Sequence, residues 1–272
     1  MGGGEAAFLK QTKEGKNMLC ENKVIVITGA GGGLGTDYAK SLAREGATLI
    51  LTDISDQVLE NVKSEMEKIG ARYDTYVMDV TDKARIHEVF EKVAAKFGRI
   101  DVLINNAGGS LFTPKWLPDI KEEDWDLVLD VNLKGTFLCS QAVVLHMKKQ
   151  KSGKIINLTS AAGREASVGT GVAYAAAKGG VISFARRLAK EVGPDGITVN
   201  TVAPGFVMSG ERIRQLWNEM TDEQQKDQIN KIPLGRLGTG EETARVFVFL
   251  CSYLSDYMTG VVLDVNGGRI MV

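Results

Sequence analysis

The stretch from Val24 to Asp53 limits what this chain can fold into more than any other. Val24–Thr28 reads VIVIT, a short β-branched run with no polar face. A strand so composed is buried on both sides, as in a parallel sheet. It runs directly into TGAGGGLG, Thr28 to Gly35, and then into an apolar stripe at helical spacing: Leu34, Tyr38, Ala39, Leu42 and Ala43. Gly46 stops that helix, and a second strand, ATLILT, runs from Ala47 to Thr52 and ends at Asp53. Strand, glycine turn, helix and strand in about thirty residues make a βαβ crossover.

The alternation continues along the chain. A helix is expected from Ser55 to Ile69, with Ser55 as its cap, then a strand from Tyr73 to Met78 ending at Asp79. Asp82 to Phe97 reads as a helix and Ile100 to Ile104 as a strand that ends in NNAG, Asn105 to Gly108. A loop with Pro114 and Pro118 leads to a long helix over Glu122 to Lys149. A strand at Ile155, a helix through Val192, a strand over Ile197 to Val202, a helix over Glu241 to Leu254 and a last strand over Val261 to Val265 complete the pattern. Seven strands alternating with helices predict an α/β Rossmann-like fold: a single-domain, doubly wound, mostly parallel sheet with helices on both faces. Residues 22–272 form the expected domain and residues 1–21 a flexible arm. The insertion over 206–233 is too long for an ordinary loop and is expected to form a helical lid over the strand ends.

Composition narrows the function. With 272 residues and 44% hydrophobic content the chain can bury one sizeable core. A net charge of −1, with no long run of one sign, argues against nucleic acid and against a polybasic membrane binder. No run of 18 apolar residues occurs, so no membrane-spanning helix is expected. Cys20, Cys139 and Cys251 are far apart, and His87 and His146 have no ligand-like neighbours, so neither a disulfide framework nor a metal site is expected. The first residues lack the apolar block of a secretory signal, which leaves the cytoplasm as the default expectation.

Two places carry chemistry. In the glycine turn, Gly29, Gly33 and Gly35 let the backbone approach a pyrophosphate closely, and the helix that follows offers unpaired N–H groups to the anion. Asp53, at the end of the second strand, can accept bonds from the adenosine ribose hydroxyls of NAD and would repel the extra phosphate of NADP. No Lys or Arg stands in the turn or just after Asp53, so NAD is expected and NADP disfavoured. Asp79, at the end of the third strand, could meet the adenine edge. The second place is the stretch SAAGREASVGTGVAYAAAKGG from Ser160 to Gly180. Tyr174 and Lys178 lie four residues apart on an alanine-rich helix, so both face one way. A fixed positive charge nearby lowers a phenol's pKa from about 10 and would let Tyr174 move a proton near neutral pH. Ser160 ends a strand and could point at the same spot.

Together TGAGGGLG, NNAG, Asn132, Ser160, YAAAK (Tyr174 to Lys178) and the Pro204–Gly205 pair resemble the short-chain dehydrogenase/reductase family in its single-domain branch, from Asn22 to the C-terminus. Within it the chain is similar to 3-oxoacyl-carrier-protein reductases, glucose dehydrogenases and secondary-alcohol dehydrogenases. The resemblance implies an NAD-dependent oxidoreductase acting on a secondary alcohol or its ketone, with Tyr174 as acid/base. Lys178 would lower the tyrosine's pKa and hold the nicotinamide ribose. Ser160 would hold the substrate oxygen, and Asn132 a water linking Lys178 to solvent. Gly29, Gly33, Leu34, Gly35, Asp53, Asp79, Val80, Asn106, Ala107, Gly108, Pro204, Gly205 and Val207 would line the cofactor together with Tyr174 and Lys178.

The sequence departs from the family in two ways: fourteen residues separate Ser160 from Tyr174, and Ser209 stands where a threonine often follows Pro-Gly. Arg164 could bind an anionic part of the substrate or pair with Glu165 in a surface turn. Arg212, Arg214 and Trp217 in the lid could read the substrate or belong to an amphipathic helix with a buried Trp. The resemblance also implies a homotetramer built on the Glu122–Lys149 and Tyr174–Val192 helices. Two other classes stay open, a nicotinamide-binding regulator or scaffold without turnover and a nucleotide-sugar epimerase or dehydratase, as do 3-oxoacyl thioesters and sugars or polyols among substrates.

Overall fold

A computed structural model describes residues 18–165 and 170–271. Most of the expected arm therefore lies outside the described residues. Its last positions do not behave as an arm: Cys20 is buried, its N–H donates to the Glu45 carbonyl, and Leu19 packs on the core. The chain joins the core at Leu19 because those two apolar side chains cover the base of the first helix.

Seven parallel strands form one sheet. In chain order they are β1 (Val24–Thr28), β2 (Thr48–Asp53), β3 (Arg72–Val77), β4 (Val102–Asn105), β5 (Gly153–Leu158), β6 (Ile197–Pro204) and, last, β9 (Val262–Val265). Their order across the sheet is β3-β2-β1-β4-β5-β6-β9. β1, β4, β5 and β6 are buried almost throughout, and β1 (VIVIT) and the start of β4 (VLI) carry the apolar runs of strands covered on both faces. The order reverses between β1 and β4, and the crevice at the carboxyl ends of those two strands is where such a sheet binds ligands.

Helices cover both faces. On one face α1 (Gly33–Arg44) and α9 (Gly240–Cys251) pack together, with the Tyr38 and Phe247 rings stacked at 4.0 Å. α2 (Asp56–Lys68) lies beside them, and its expected cap is present: Ser55 accepts from the Val58 N–H. On the other face stand α3 (Lys83–Phe97), α6 (Val172–Val192) and the long stretch from Glu122 to Gln150. That stretch is long and apolar enough by length and composition to cross a membrane, but half of it is buried, as in a core helix. It is not uniform: α4 (Glu122–Leu129) and α5 (Gly135–Gln150) are joined by a π-helical turn, Asp130–Lys134, centred on Asn132. Such turns often mark functional sites.

The segment after β6 carries two short strands and two helices. β7 (Val207–Met208) pairs with β8 (Gly238–Thr239), and between them lie α7 (Gly210–Asn218) and α8 (Asp222–Asn230). The Phe206 and Trp217 rings, 5.7 Å apart, hold α7 to the strand end.

Candidate active site

The glycine turn is fastened from three sides. The Asn106 side chain donates to the carbonyls of Thr28 (3.0 Å) and Gly29 (2.7 Å), and the Thr28 hydroxyl accepts from the N–H groups of Asn106 and Ala107. The Asp53 carboxylate accepts from the Gly31 N–H at 2.9 Å and from its neighbour Ile54 at 2.8 Å. A Cβ at Gly35 would run into the Gly29 carbonyl and come within 3.0 Å of the Asn106 amide, so only glycine fits there. Asn106 and Asp53 thus shape the turn through backbone groups. Each Asp53 oxygen still has a second lone pair for a ribose hydroxyl.

This turn fits a dinucleotide pyrophosphate. α1 begins without a side-chain cap and with no acidic residue in its first turn, whereas Ser55 and Asp82 cap α2 and α3. Its first N–H groups, Leu34 included, and its positive dipole end are left for an anion. A Cβ at Gly32 would meet nothing within 4 Å. Leu34 packs its side chain on the core, and Val80 is wedged against Gly135 at the start of α5. Asp79 accepts from the Thr81 N–H and hydroxyl, both at 2.8 Å, which folds the chain into a tight turn after β3.

The catalytic candidates converge at the ends of β4 and β5. Ser160 follows β5, and its hydroxyl accepts from the Ala162 N–H at 3.2 Å. Lys178 is buried at 2% exposure, with its Nζ donating to the Leu158 carbonyl at 2.9 Å and lying 5.7 Å from the Tyr174 ring centre. The Thr159 hydroxyl donates to the Lys178 carbonyl at 2.6 Å, which ties α6 to the strand that carries Ser160. Asn132, fully buried, grips Gly109 twice: Nδ2 donates to its carbonyl and Oδ1 accepts from its N–H, both at 2.9 Å. Nδ2 also donates to Val128, and the Thr136 hydroxyl takes the Asn132 carbonyl. Gly108, at φ +143°, has no room for a Cβ, which would strike Asn132 Oδ1 and lie 3.4 Å from Lys178 Nζ. The Asn132 side chain is therefore a clamp on the strand end.

Charge in the site differs from expectation. Burial raises the Tyr174 pKa above its ordinary value, while the Ser160 hydrogen bond and the Arg212 charge pull it down. The expected lowering by Lys178 is not seen: the downward pulls come from Ser160 and Arg212, and desolvation of the phenol outweighs them. Burial also pushes the Lys178 pKa from 10.5 to about 8.

Other residues fall where the sequence left them open. Arg164 pairs with Asp264 on β9 at 2.7 Å, both partners largely buried, so its guanidinium is engaged neither by Glu165 nor by the site. Pro204 and Val207 are buried, and the Gly205 N–H donates to the Val265 carbonyl, anchoring the strand end where the nicotinamide contact is expected. Ser209 is buried beside Gly33, its hydroxyl 3.6 Å from where a Cβ would stand there. A Cβ at Gly210 would come within 2.8 Å of Gly33 Cα, so the start of α7 rests directly on the glycine turn.

The site has a wall that the motifs did not reveal: Ser110 and Phe112 facing Arg212 of α7. Arg212 Nη2 donates to the Ser110 hydroxyl at 2.7 Å, and its guanidinium lies 4.2 Å from the Phe112 ring centre. Two successive non-glycine residues at positive φ, Leu111 (52°) and Phe112 (60°), present that ring. The sequence signal available was an arginine in a lid facing a glycine-flanked loop, and it was weak.

With this fold and site, the chain belongs to the short-chain dehydrogenase/reductase family. A family profile described as enoyl-(acyl carrier protein) reductase matches residues 29–269. The 3-oxoacyl-acyl-carrier-protein reductase FabG of Thermotoga maritima is 43% identical over 93% of this chain and 100% of its own length. Cyclohexanol dehydrogenase of Rhodococcus sp. is 39% identical over 93% of this chain and 97% of its own. Among solved structures, levodione reductase superposes with a TM-score of 0.86 at 34% identity, covering 92% of this chain and 98% of that one. NAD+-bound xylitol dehydrogenase gives 0.85 at 31% identity, covering 93% and 100%. The protein is accordingly an oxidoreductase of CH–OH and keto groups that uses a nicotinamide cofactor.

Proposed function

We propose that the protein is an NAD-dependent dehydrogenase of secondary alcohols, or reductase of the matching ketones, with Tyr174 as acid/base. The observation that carries this is the meeting of Ser160, Tyr174 and Lys178 beside the Gly108–Gly109 strand end, next to an uncapped helix start that suits a pyrophosphate. The bound nicotinamide would supply the hydride for ketone reduction, or accept it when the alcohol is oxidised.

The chain's own groups handle the oxygen. Ser160 donates to the ketone oxygen and steadies the charge that develops there. Tyr174 gives that oxygen its proton as the ketone becomes an alcohol, and takes it back in reverse. The raised pKa keeps Tyr174 protonated at neutral pH, the form that reduction needs. Oxidation needs the phenolate, so its rate should climb with pH. Lys178 holds a positive charge beneath the ring and would bond the nicotinamide ribose. Asn132 fixes Gly108 and Gly109, the floor on which that ribose would rest.

Asp53 supports the choice of NAD. It is a carboxylate at the end of β2 with no basic residue beside it, where the extra phosphate of NADP would meet negative charge. A relative solved with NAD+ bound agrees with this choice. Self-association through α5 is part of the same proposal, since Phe137 and Leu145 stand exposed on it.

The test is turnover of a panel of ketones and secondary alcohols, followed by nicotinamide absorbance with each cofactor. Turnover with NAD(H) exceeding that with NADP(H) is expected; no turnover of any member with either cofactor would refute the proposal.

A further inference from the structure

We infer that Arg212 is an anion-recognising residue of the substrate pocket, and that the preferred substrate is a keto acid or hydroxy acid whose carboxylate lies a few bonds from the reacting carbon. This names the substrate class for the dehydrogenase reading above and rests on it.

Four observations lead there. First, Arg212 stands beside the strand end that carries the reacting centre. Its Nη1 lies 3.4 Å from where a Cβ of Gly109 would be, and a Cβ of Gly108, the residue before, would stand at the same distance from Lys178 Nζ. Both cations therefore reach one short piece of backbone.

Second, no carboxylate among the described residues lies within 4.0 Å of Arg212 in an ion pair. Two other arginines differ in having a carboxylate: Arg164, whose Nε is likewise buried without a partner, holds Asp264 through Nη2, and Arg214 faces Glu211 on its own helix. The hydrogen bond Arg212 does make, to Ser110, is to a neutral group, and its Nε is buried with no partner. A guanidinium with an unmatched buried N–H costs stability unless something completes it. A carboxylate does so in fork geometry.

Third, the loop that presents this wall is strained. Leu111 and Phe112 both hold positive φ, a conformation that side chains of their size adopt only at a cost in energy. The strain places the Phe112 ring over the guanidinium at 4.2 Å while leaving the ring 85% exposed. Burying that ring in the core is therefore not what the strain achieves. It sets the ring against the guanidinium.

Fourth, the lid carrying Arg212 touches Gly33 through Gly210, so α7 stands over the cofactor turn and the substrate wall at once. An anion held by Arg212 would help to hold the lid closed on its substrate.

The experiment compares a neutral ketone with the keto acid that matches it in chain length, for example 2-pentanone and 3-oxopentanoate, using the wild-type protein, Arg212→Gln and Arg212→Lys with NADH. The wild type should favour the acid in kcat/KM by at least about tenfold. Arg212→Gln keeps a donor for Ser110 and should erase that preference, chiefly through KM for the acid. Arg212→Lys should restore part of the preference. If the wild type turns over the neutral ketone but shows no preference for the acid, the inference fails and the dehydrogenase reading stands. If Arg212→Gln slows both substrates equally, or weakens only NADH binding, Arg212 is a lid latch or a cofactor contact and the inference is overturned. If the wild type reduces neither ketone nor acid, the dehydrogenase reading itself falls.

Discussion

The two walls of the cleft are built on different principles. The nucleotide wall, from β1 through the glycine turn to Asp53, is held by backbone: the Asn106 amide on two carbonyls, Asp53 on the Gly31 N–H, and Gly35 pressed on Gly29. The substrate wall, from Ser110 to Phe112 and across to α7, is held by side chains: one arginine, one hydroxyl and one exposed ring. A wall whose backbone is fixed this closely leaves little room for change at its glycines. A wall made of side chains can be altered residue by residue without disturbing the sheet, and this is where members of one fold come to differ in substrate.

That contrast is open to experiment. The largest effect is expected for Lys178→Met, a change at the reacting centre between the two walls. Turnover should fall by about 10²–10⁴-fold, the range of a lost acid/base partner. The same variant reports on burial. The folded lysine titrates at about 8 against an ordinary 10.5, so between those values the unfolded chain binds more protons. The penalty for burying the charge is fully present below about 8 and fades as pH rises toward 10.5. Denaturant titrations should show the wild type gaining on the Met variant by up to about 3 kcal/mol across that window. A constant difference would mean that Lys178 is not a buried cation.

Next in size is Gly35→Ala. Its Cβ meets backbone that cannot yield, so about 1–3 kcal/mol of overpacking is expected. Tm should drop, and NADH affinity and turnover of every substrate should fall together. A selective loss on one substrate would erase the distinction between the two walls. The smallest effect belongs to Asp53→Ala, which should narrow the preference for NAD over NADP while leaving the ranking of substrates alone. An unchanged cofactor preference would show that another residue sets it.

How much of this could be read in the sequence follows the same division. β1 falls where VIVIT placed it, and the Ser55 cap and the close fit of Gly35 follow from short-range rules that act within a few residues. Tyr174 and Lys178 are legible as a pair because helical spacing alone brings them to one face. The long-range partners were not legible. Arg164 finds Asp264 a hundred positions away, and Asn132 sits in a π turn that no local pattern announced. The pKa of Tyr174 was expected to go down and goes up, because a spacing shows the neighbouring charge and not the depth of burial. Cys20 sits in the core although the residues around it read as an arm, since two apolar side chains suffice to anchor a chain end.

Everything in the proposed reaction turns on the Tyr174 hydroxyl carrying the proton. Its most direct test is Tyr174→Phe, with turnover and NADH binding measured on the same preparation. A loss of about 10²–10⁴-fold in kcat is predicted for ketone and alcohol alike, with the NADH dissociation constant and Tm close to wild type. Turnover within tenfold of wild type would mean that another group moves the proton, and the proposed role of Tyr174 would be wrong.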